Sequence, residues 1–241
     1  GVADPAAFAA ATEPDRTERA ATVAPERLFA GTTFTGEVER LVRIRAASLI
    51  DFQSEALATR YIAQVQAAWE AERRVTNRTD FSEAVARGLF KFTAYKDEYE
   101  VARMLVDPAF LDEVQGQVPG GRKLTYRLHP PALRALGREK KVGFGPKSHV
   151  ALKALAKAKR LRGTKLDPFG YAHVRRVERA LLAHYTATIQ RLAADLDVDS
   201  YDRAAEIAAL PDMVRGYEDV KLRSVEQYRA RLAELGIDTD F

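Results

Sequence analysis

Phe90-Lys91-Phe92-Thr93-Ala94-Tyr95-Lys96-Asp97-Glu98-Tyr99-Glu100-Val101-Ala102-Arg103-Met104-Leu105 is the stretch on which the reading of this chain turns. Apolar and polar residues interleave through it without Gly or Pro, so it reads as helix. On a helix Tyr99 and Arg103 stack at i, i+4, as do Lys96 and Glu100, and Tyr95 falls on the face of Tyr99 and Arg103. The cluster of Lys96, Asp97, Glu98, Tyr99, Glu100 and Arg103 has two readings. It can be a docking surface for a carboxylate or phosphate, with the Arg103 guanidinium as the fork. It can equally be a buried polar network that fixes helix packing. The second is favoured, because acidic residues outnumber cations in it.

Helical spacing continues on both sides. Val38, Leu41, Val42, Leu49, Phe52, Leu57, Tyr61, Val65 and Trp69 give one apolar stripe from Glu37 to Arg74. No Pro interrupts it, which favours one long helix over two. A helix capped by Thr79, Asp80 or Ser82 runs to about Tyr95, and another, Asp97–Val106, stops before Pro108. Pro119-Gly120-Gly121 signals a turn. Lys123–His129 alternates polar and apolar, as a half-buried strand does, and Lys141–Phe144 is its antiparallel partner. Helices follow over Lys147–Lys159, Tyr171–Leu196, Tyr201–Leu210 and Val220–Leu235. Asp199 or Ser200 caps the third of these, and Gly236 ends the last. Residues 1–35, Ala-rich with scattered Pro, Thr and Gly, read as a linker with a short helix near Ala24–Ala30. The expected fold is mainly α (α+β): a single helical domain over 36–241 with one small antiparallel β-hairpin.

A chain of 241 residues that is 46% hydrophobic and 30% charged can bury a substantial core. No apolar run reaches the roughly 18 residues of a membrane helix. The chain opens Gly1-Val2-Ala3-Asp4-Pro5, without an initiator Met or a basic-then-apolar leader, and is read as a domain cut from a longer chain or a processed product. It contains no cysteine, which excludes disulfides, thiolate zinc sites, thiol nucleophiles and cysteine-ligated iron–sulfur clusters within it. The net charge of +4 is uneven: Arg138–Arg179 holds thirteen Lys or Arg against three Asp or Glu. Such a segment is either a solvated helix face or a contact for an anionic partner.

Motifs for common chemistries are missing. There is no Gly-x-Gly-x-x-Gly after a strand, no phosphate loop, and no Gly-Asp-Gly with paired Asn for thiamine diphosphate. His129, His149, His173 and His184 have no ligand spacing, and no Ser sits in a nucleophile elbow. No catalytic or metal-ligating residue is therefore assigned. The remaining candidates bind anions or dock a neighbour. Gly143-Phe144-Gly145-Pro146-Lys147-Ser148 leads from a strand into a helix, and Lys147 sits where the first turn can hold an anion, although a turn without a ligand is the favoured reading. The loops Arg162-Gly163-Thr164 and Arg215-Gly216-Tyr217 would line one cationic pocket with Arg162, Arg215 and Lys221 if they met. In the first loop Phe169 is expected to plug the core and Asp167 to bond the first amides of the next helix.

Three blocks carry a family resemblance. Ala94-Tyr95-Lys96-Asp97-Glu98-Tyr99-Glu100-Val101-Ala102-Arg103, then Leu161-Arg162-Gly163-Thr164-Lys165-Leu166-Asp167-Pro168-Phe169-Gly170, then Arg215-Gly216-Tyr217-Glu218-Asp219-Val220-Lys221 resemble, in order, the C-terminal domain of bacterial indolepyruvate ferredoxin oxidoreductases. Asp107-Pro108-Ala109-Phe110 and Phe144-Gly145-Pro146 fall between them in the same order, and the likeness spans about Val38 to Leu235. The resemblance implies a cytoplasmic 2-oxoacid oxidoreductase that decarboxylates aryl pyruvates and makes acyl-coenzyme A. It implies thiamine diphosphate, magnesium, iron–sulfur clusters and coenzyme A in the parent enzyme and no cofactor in this chain. The chain would then be non-catalytic, docking domains or subunits or covering the active site, with its basic stretch facing a cofactor tail or ferredoxin. The alternative is a stand-alone basic helical binding module for a protein or nucleic acid. Nucleic acid is disfavoured because the basic stretch lacks a helix-turn-helix, a zinc finger and an aromatic platform.

Overall fold

A computed structural model describes residues 23–117, 126–128, 142–144, 148–216 and 218–241. Among them nine α-helices form: α1 Gly36–Phe52, α2 Glu55–Val75, α3 Asp80–Thr93, α4 Glu98–Leu105, α5 Pro108–Gln117, α6 Ser148–Lys157, α7 His173–Ala194, α8 Tyr201–Ala209 and α9 Glu218–Glu234. Single 3-10 turns lie at Glu26–Phe29, Ala158–Leu161 and Leu210–Met213. No described helix is long and apolar enough to cross a membrane.

The α+β expectation is corrected to a helical fold. Apart from Ala24, which precedes the first described helical turn, every described residue of the buried core lies on a helix or on a segment joining helices. Extended pairing is confined to β1, Tyr126–Leu128, antiparallel to β2, Val142–Phe144, with Tyr126 opposite Phe144. Three residues on each side, with residues 129–141 between them, make neither a tight-turn hairpin nor a sheet layer on which helices could pack. The turn expected at Pro119–Gly121 and the ends of the expected strand lie outside the described residues.

The chain divides into two compact units. The first comprises residues up to Ala94 and from Arg176 onward, the second Tyr95–Arg175. In the first, α1 packs on α2, both pack on α3, and α3 packs on α8. Its core includes Val42, Leu49, Tyr61, Trp69, Phe81, Leu89, Tyr185, Ile207 and Tyr228. The short helix expected near Ala24–Ala30 is a single 3-10 turn at Glu26–Phe29. Ala24, Phe29 and Phe34 join this core, Phe34 standing edge-on to Trp69.

The single long helix expected over Glu37–Arg74 is in fact two. Ser54 adopts an extended conformation, and its hydroxyl accepts the Leu57 amide at 3.3 Å, capping α2 as Gln53 closes α1. A serine cap supplies the acceptor that the first turn lacks, so no Pro is needed for the break. Gly236, at φ 68, ends α9 as expected: its amide bonds the Ala233 carbonyl and that of Ile237 the Leu232 carbonyl, the paired bonds of a Schellman stop.

The second unit has a smaller core. Ala102 and Leu152 are buried, with Leu105, Val106, Leu155 and Ala156 against them. α4 packs chiefly along α6. Helix α5 was not foreseen; Pro108 is its first residue, a position where a missing amide hydrogen costs nothing.

Candidate functional site

The block quoted first does not form one helix. α3 ends at Thr93, residues 94–97 are not helical, and α4 starts at Glu98. Asp97 makes the break. Its carboxylate accepts the Glu100 amide at 2.9 Å as the N-cap of α4. The same carboxylate takes the Arg162 guanidinium side-on, Nε to Oδ2 at 2.5 Å and Nη2 to Oδ1 at 2.8 Å. Both side chains are almost fully buried, at 3% and 4% exposure. A buried bidentate pair needs all its hydrogen bonds to offset desolvation, and this one adds the capping amide.

A second acid completes the knot. Asp167 closes its own loop and does not cap the next helix as expected: it accepts from the Gly163 amide at 2.9 Å, the Phe169 amide at 3.1 Å and the Tyr99 hydroxyl at 3.1 Å. Phe169 stands edge-on against Tyr99 with ring centroids 5.2 Å apart but is itself half-buried and part of neither apolar core, and the Arg162 guanidinium lies over the same tyrosine ring. Burial pushes the Tyr99 hydroxyl up to about 12, and its bond to Asp167 adds to the shift. Gly163, at φ 74, supplies the left-handed turn that lets the loop close around Asp167.

The remaining candidates are each accounted for. Tyr95 and Lys96 lie in the break and not on the face of α4. The Arg175 guanidinium covers the Tyr95 ring at 5.3 Å and donates to the Lys96 carbonyl at 3.4 Å. Arg103 forks an internal carboxylate, Nε and Nη2 to Glu100 at 2.9 and 2.8 Å. Arg215 bonds Asp212 at 2.6 Å, and Lys221 bonds Glu178 at 2.5 Å. Arg162 belongs to the second unit, while Arg215 and Lys221 belong to the first, each with its own carboxylate. Lys147 lies outside the described residues. Tyr99, Arg162 and Asp167 thus come together as a structural knot, and the polar-network reading of the cluster describes its geometry.

Sequence reasoning missed a second buried acid. Glu72 of α2 has no exposed surface, and it caps α3 from outside that helix. It accepts the Phe81 and Ser82 amides at 3.0 and 3.1 Å, the Ser82 hydroxyl, and the Tyr201 hydroxyl at 2.6 Å. Thr79, at the capping position, makes no side-chain cap bond. The available signal was weak: a Glu on the apolar face of α2, one turn before a loop. No group of three or more His, Asp or Glu placed to hold a metal occurs among the described residues.

The acids that organise these helices face inward, onto backbone amides and arginine. The geometry is that of a helical packing domain. The first unit also holds a cleft of about 420 Å³ lined by Asp80, Glu83, Arg87, Lys91 and Asp212, where Lys91 bonds Asp212 at 3.1 Å and Arg87 bonds Glu83 at 2.9 Å. The chain belongs to a family of unknown function, DUF6537, which it matches over residues 38–234. No curated protein and no solved structure matches it.

Proposed function

We propose that this chain is the non-catalytic C-terminal domain of a cytoplasmic, thiamine-diphosphate-dependent oxidoreductase of the indolepyruvate ferredoxin type. In this reading it docks domains or subunits during oxidative decarboxylation of aryl pyruvates to acyl-coenzyme A, and the cofactors reside elsewhere in the enzyme. One observation carries the reading. The first two blocks that resemble that family supply both halves of the Asp97–Arg162 pair and of the Tyr99–Asp167 bond. Residues paired in this way hold a shape; they do not approach a substrate. The third block fits the same pattern, since the Arg215 amide and carbonyl both bond Ser224 and Lys221 bonds Glu178.

The test mixes the purified chain with the thiamine-binding catalytic portion of such an enzyme from which this region has been removed. Reduction of a viologen dye is followed with indolepyruvate and coenzyme A. The chain alone is expected to give no turnover. It is expected to co-elute with the catalytic portion and raise its rate or stability. Turnover by the chain alone, abolished by one substitution within it, contradicts the reading, as does failure to associate at micromolar concentration.

A further inference from the structure

We propose that the trough between α4 and α6 binds an acidic peptide segment of a partner polypeptide. The trough holds about 450 Å³ and lies within the second unit. Arg103 and Val106 line one wall, Lys153, Ala156 and Lys157 the other, and Lys159 one end. Its apolar lining is Val106 and Ala156, packed against the small core around Leu152. Its rim is cationic.

Two features bear on this rim, one of which, exposed cations without a carboxylate partner among the described residues, it shares with Arg60, Arg74, Arg160 and Lys165. In the first unit the lysines Lys91 and Lys221 are bonded to Asp212 and Glu178. Lys153 and Lys157 are exposed and pair with no carboxylate among the described residues. The charge of the whole unit agrees: Tyr95–Arg175 carries seventeen Lys or Arg against eight Asp or Glu, although the chain as a whole is only +4. Such a surplus attracts an acidic partner from a distance and sets its orientation.

Spacing selects the form of the ligand. Lys153 and Lys157 are one helical turn apart, about 6 Å along the axis. Alternate residues of an extended peptide project to the same side about every 6.6 Å. Carboxylates at alternate positions therefore meet both lysines, and the two methylenes of each Glu lie on Val106 and Ala156. Nucleic acid fits less well. The guanidinium of Arg103 is already engaged by Glu100, the exposed cations Lys153 and Lys157 lack the arginine fork that reads base edges, and no aromatic ring lines the trough for a base to stack on.

The inference deepens the docking reading, because the partner would present this segment, but its test uses no oxidoreductase component and so can fail separately. The intact chain is titrated against a fluorescein-labelled peptide of alternating Glu and Ser, with a Gln and Ser peptide as control, at increasing salt. The acidic peptide is expected to bind and the control not to bind, with affinity falling as salt rises. The double reversal K153E/K157E is expected to weaken binding about tenfold. R27E, on an exposed arginine of the other unit, should leave it unchanged. Circular dichroism verifies that both variants stay folded, and K153Q/K157Q supplies a milder form of the same change. Absence of binding overturns the proposal, as does binding indifferent to Lys153 and Lys157. Tighter binding of duplex DNA or inorganic pyrophosphate through the same two lysines overturns it in favour of a phosphate ligand.

Discussion

Gly88 shows how one residue can decide packing without declaring itself in the sequence. It sits inside α3, where alanine would normally stabilise by about 1 kcal/mol. Here an added Cβ would stand 2.3 Å from the Tyr185 hydroxyl and 3.0 Å from Pro211. That hydroxyl is held in place by the Ala208 carbonyl at 2.7 Å and cannot easily retreat. G88A is therefore expected to destabilise the fold by about 1–3 kcal/mol, read as a lowered urea midpoint, despite its better helix propensity. A midpoint equal to or above that of the parent would show that the contact is loose. Periodicity gave no hint of this, because close approach between distant helices leaves no local pattern. Asp97 and Asp167 were more legible: both stand in polar clusters visible in the sequence. Their partners, Arg162 and Tyr99, could not be assigned to them, since the sequence separation of 65 and 68 residues carries no spacing rule.

Helix existence was legible and helix boundaries only partly so. The apolar stripe from Val38 to Trp69 is real, yet it spans a break at Gln53–Ser54 that a serine cap creates. Periodicity survives a break when two successive helices bury one face each against the same core. S54A is expected to cost about 1 kcal/mol, measured by chemical denaturation, because the first turn of α2 loses its acceptor. α3 is capped differently, from a neighbouring helix. E72A strands the Phe81 and Ser82 amides and the Tyr201 hydroxyl in a buried site, and is expected to cost about 3 kcal/mol or more. A loss below about 1 kcal/mol would mean that water or Thr79 replaces the glutamate. The strand part of the expected α+β fold shrinks to three paired residues on each strand, Tyr126–Leu128 and Val142–Phe144, for a physical reason of its own. Alternation over Lys123–His129 is a period-2 signal, but a sheet needs a partner face to bury, and the described core is filled by helices.

At the scale of the whole molecule, burial of aromatic hydroxyls gives a pH signature. Burial raises the hydroxyls of Tyr61, Tyr99, Tyr185, Tyr201 and Tyr228 above the ordinary value of 10, Tyr99 to about 12. A raised folded value means that the unfolded chain ionises first. The stability these groups contribute is complete below pH 10 and is lost as pH rises through their folded values. Tyrosinate absorbance should therefore rise in two stages, the exposed tyrosines first and the buried five only as the helical signal at 222 nm collapses. A single transition near pH 10 with the helices intact would contradict the burial described. In the central claim Asp97, Tyr99, Arg162 and Asp167, from the first two motif blocks, are read as holding the second unit together and not as meeting a ligand. A double-mutant cycle on Asp97 and Arg162 tests it most directly, with the unfolding free energy of the intact chain measured for D97N, R162M and the double variant. Each single change is expected to cost about 3–5 kcal/mol by leaving a buried partner unpaired, and the double to cost less than the sum by about 2 kcal/mol. Single variants within about 0.5 kcal/mol of the parent, with additive effects, would contradict the claim and return both residues to the pool of groups available for binding.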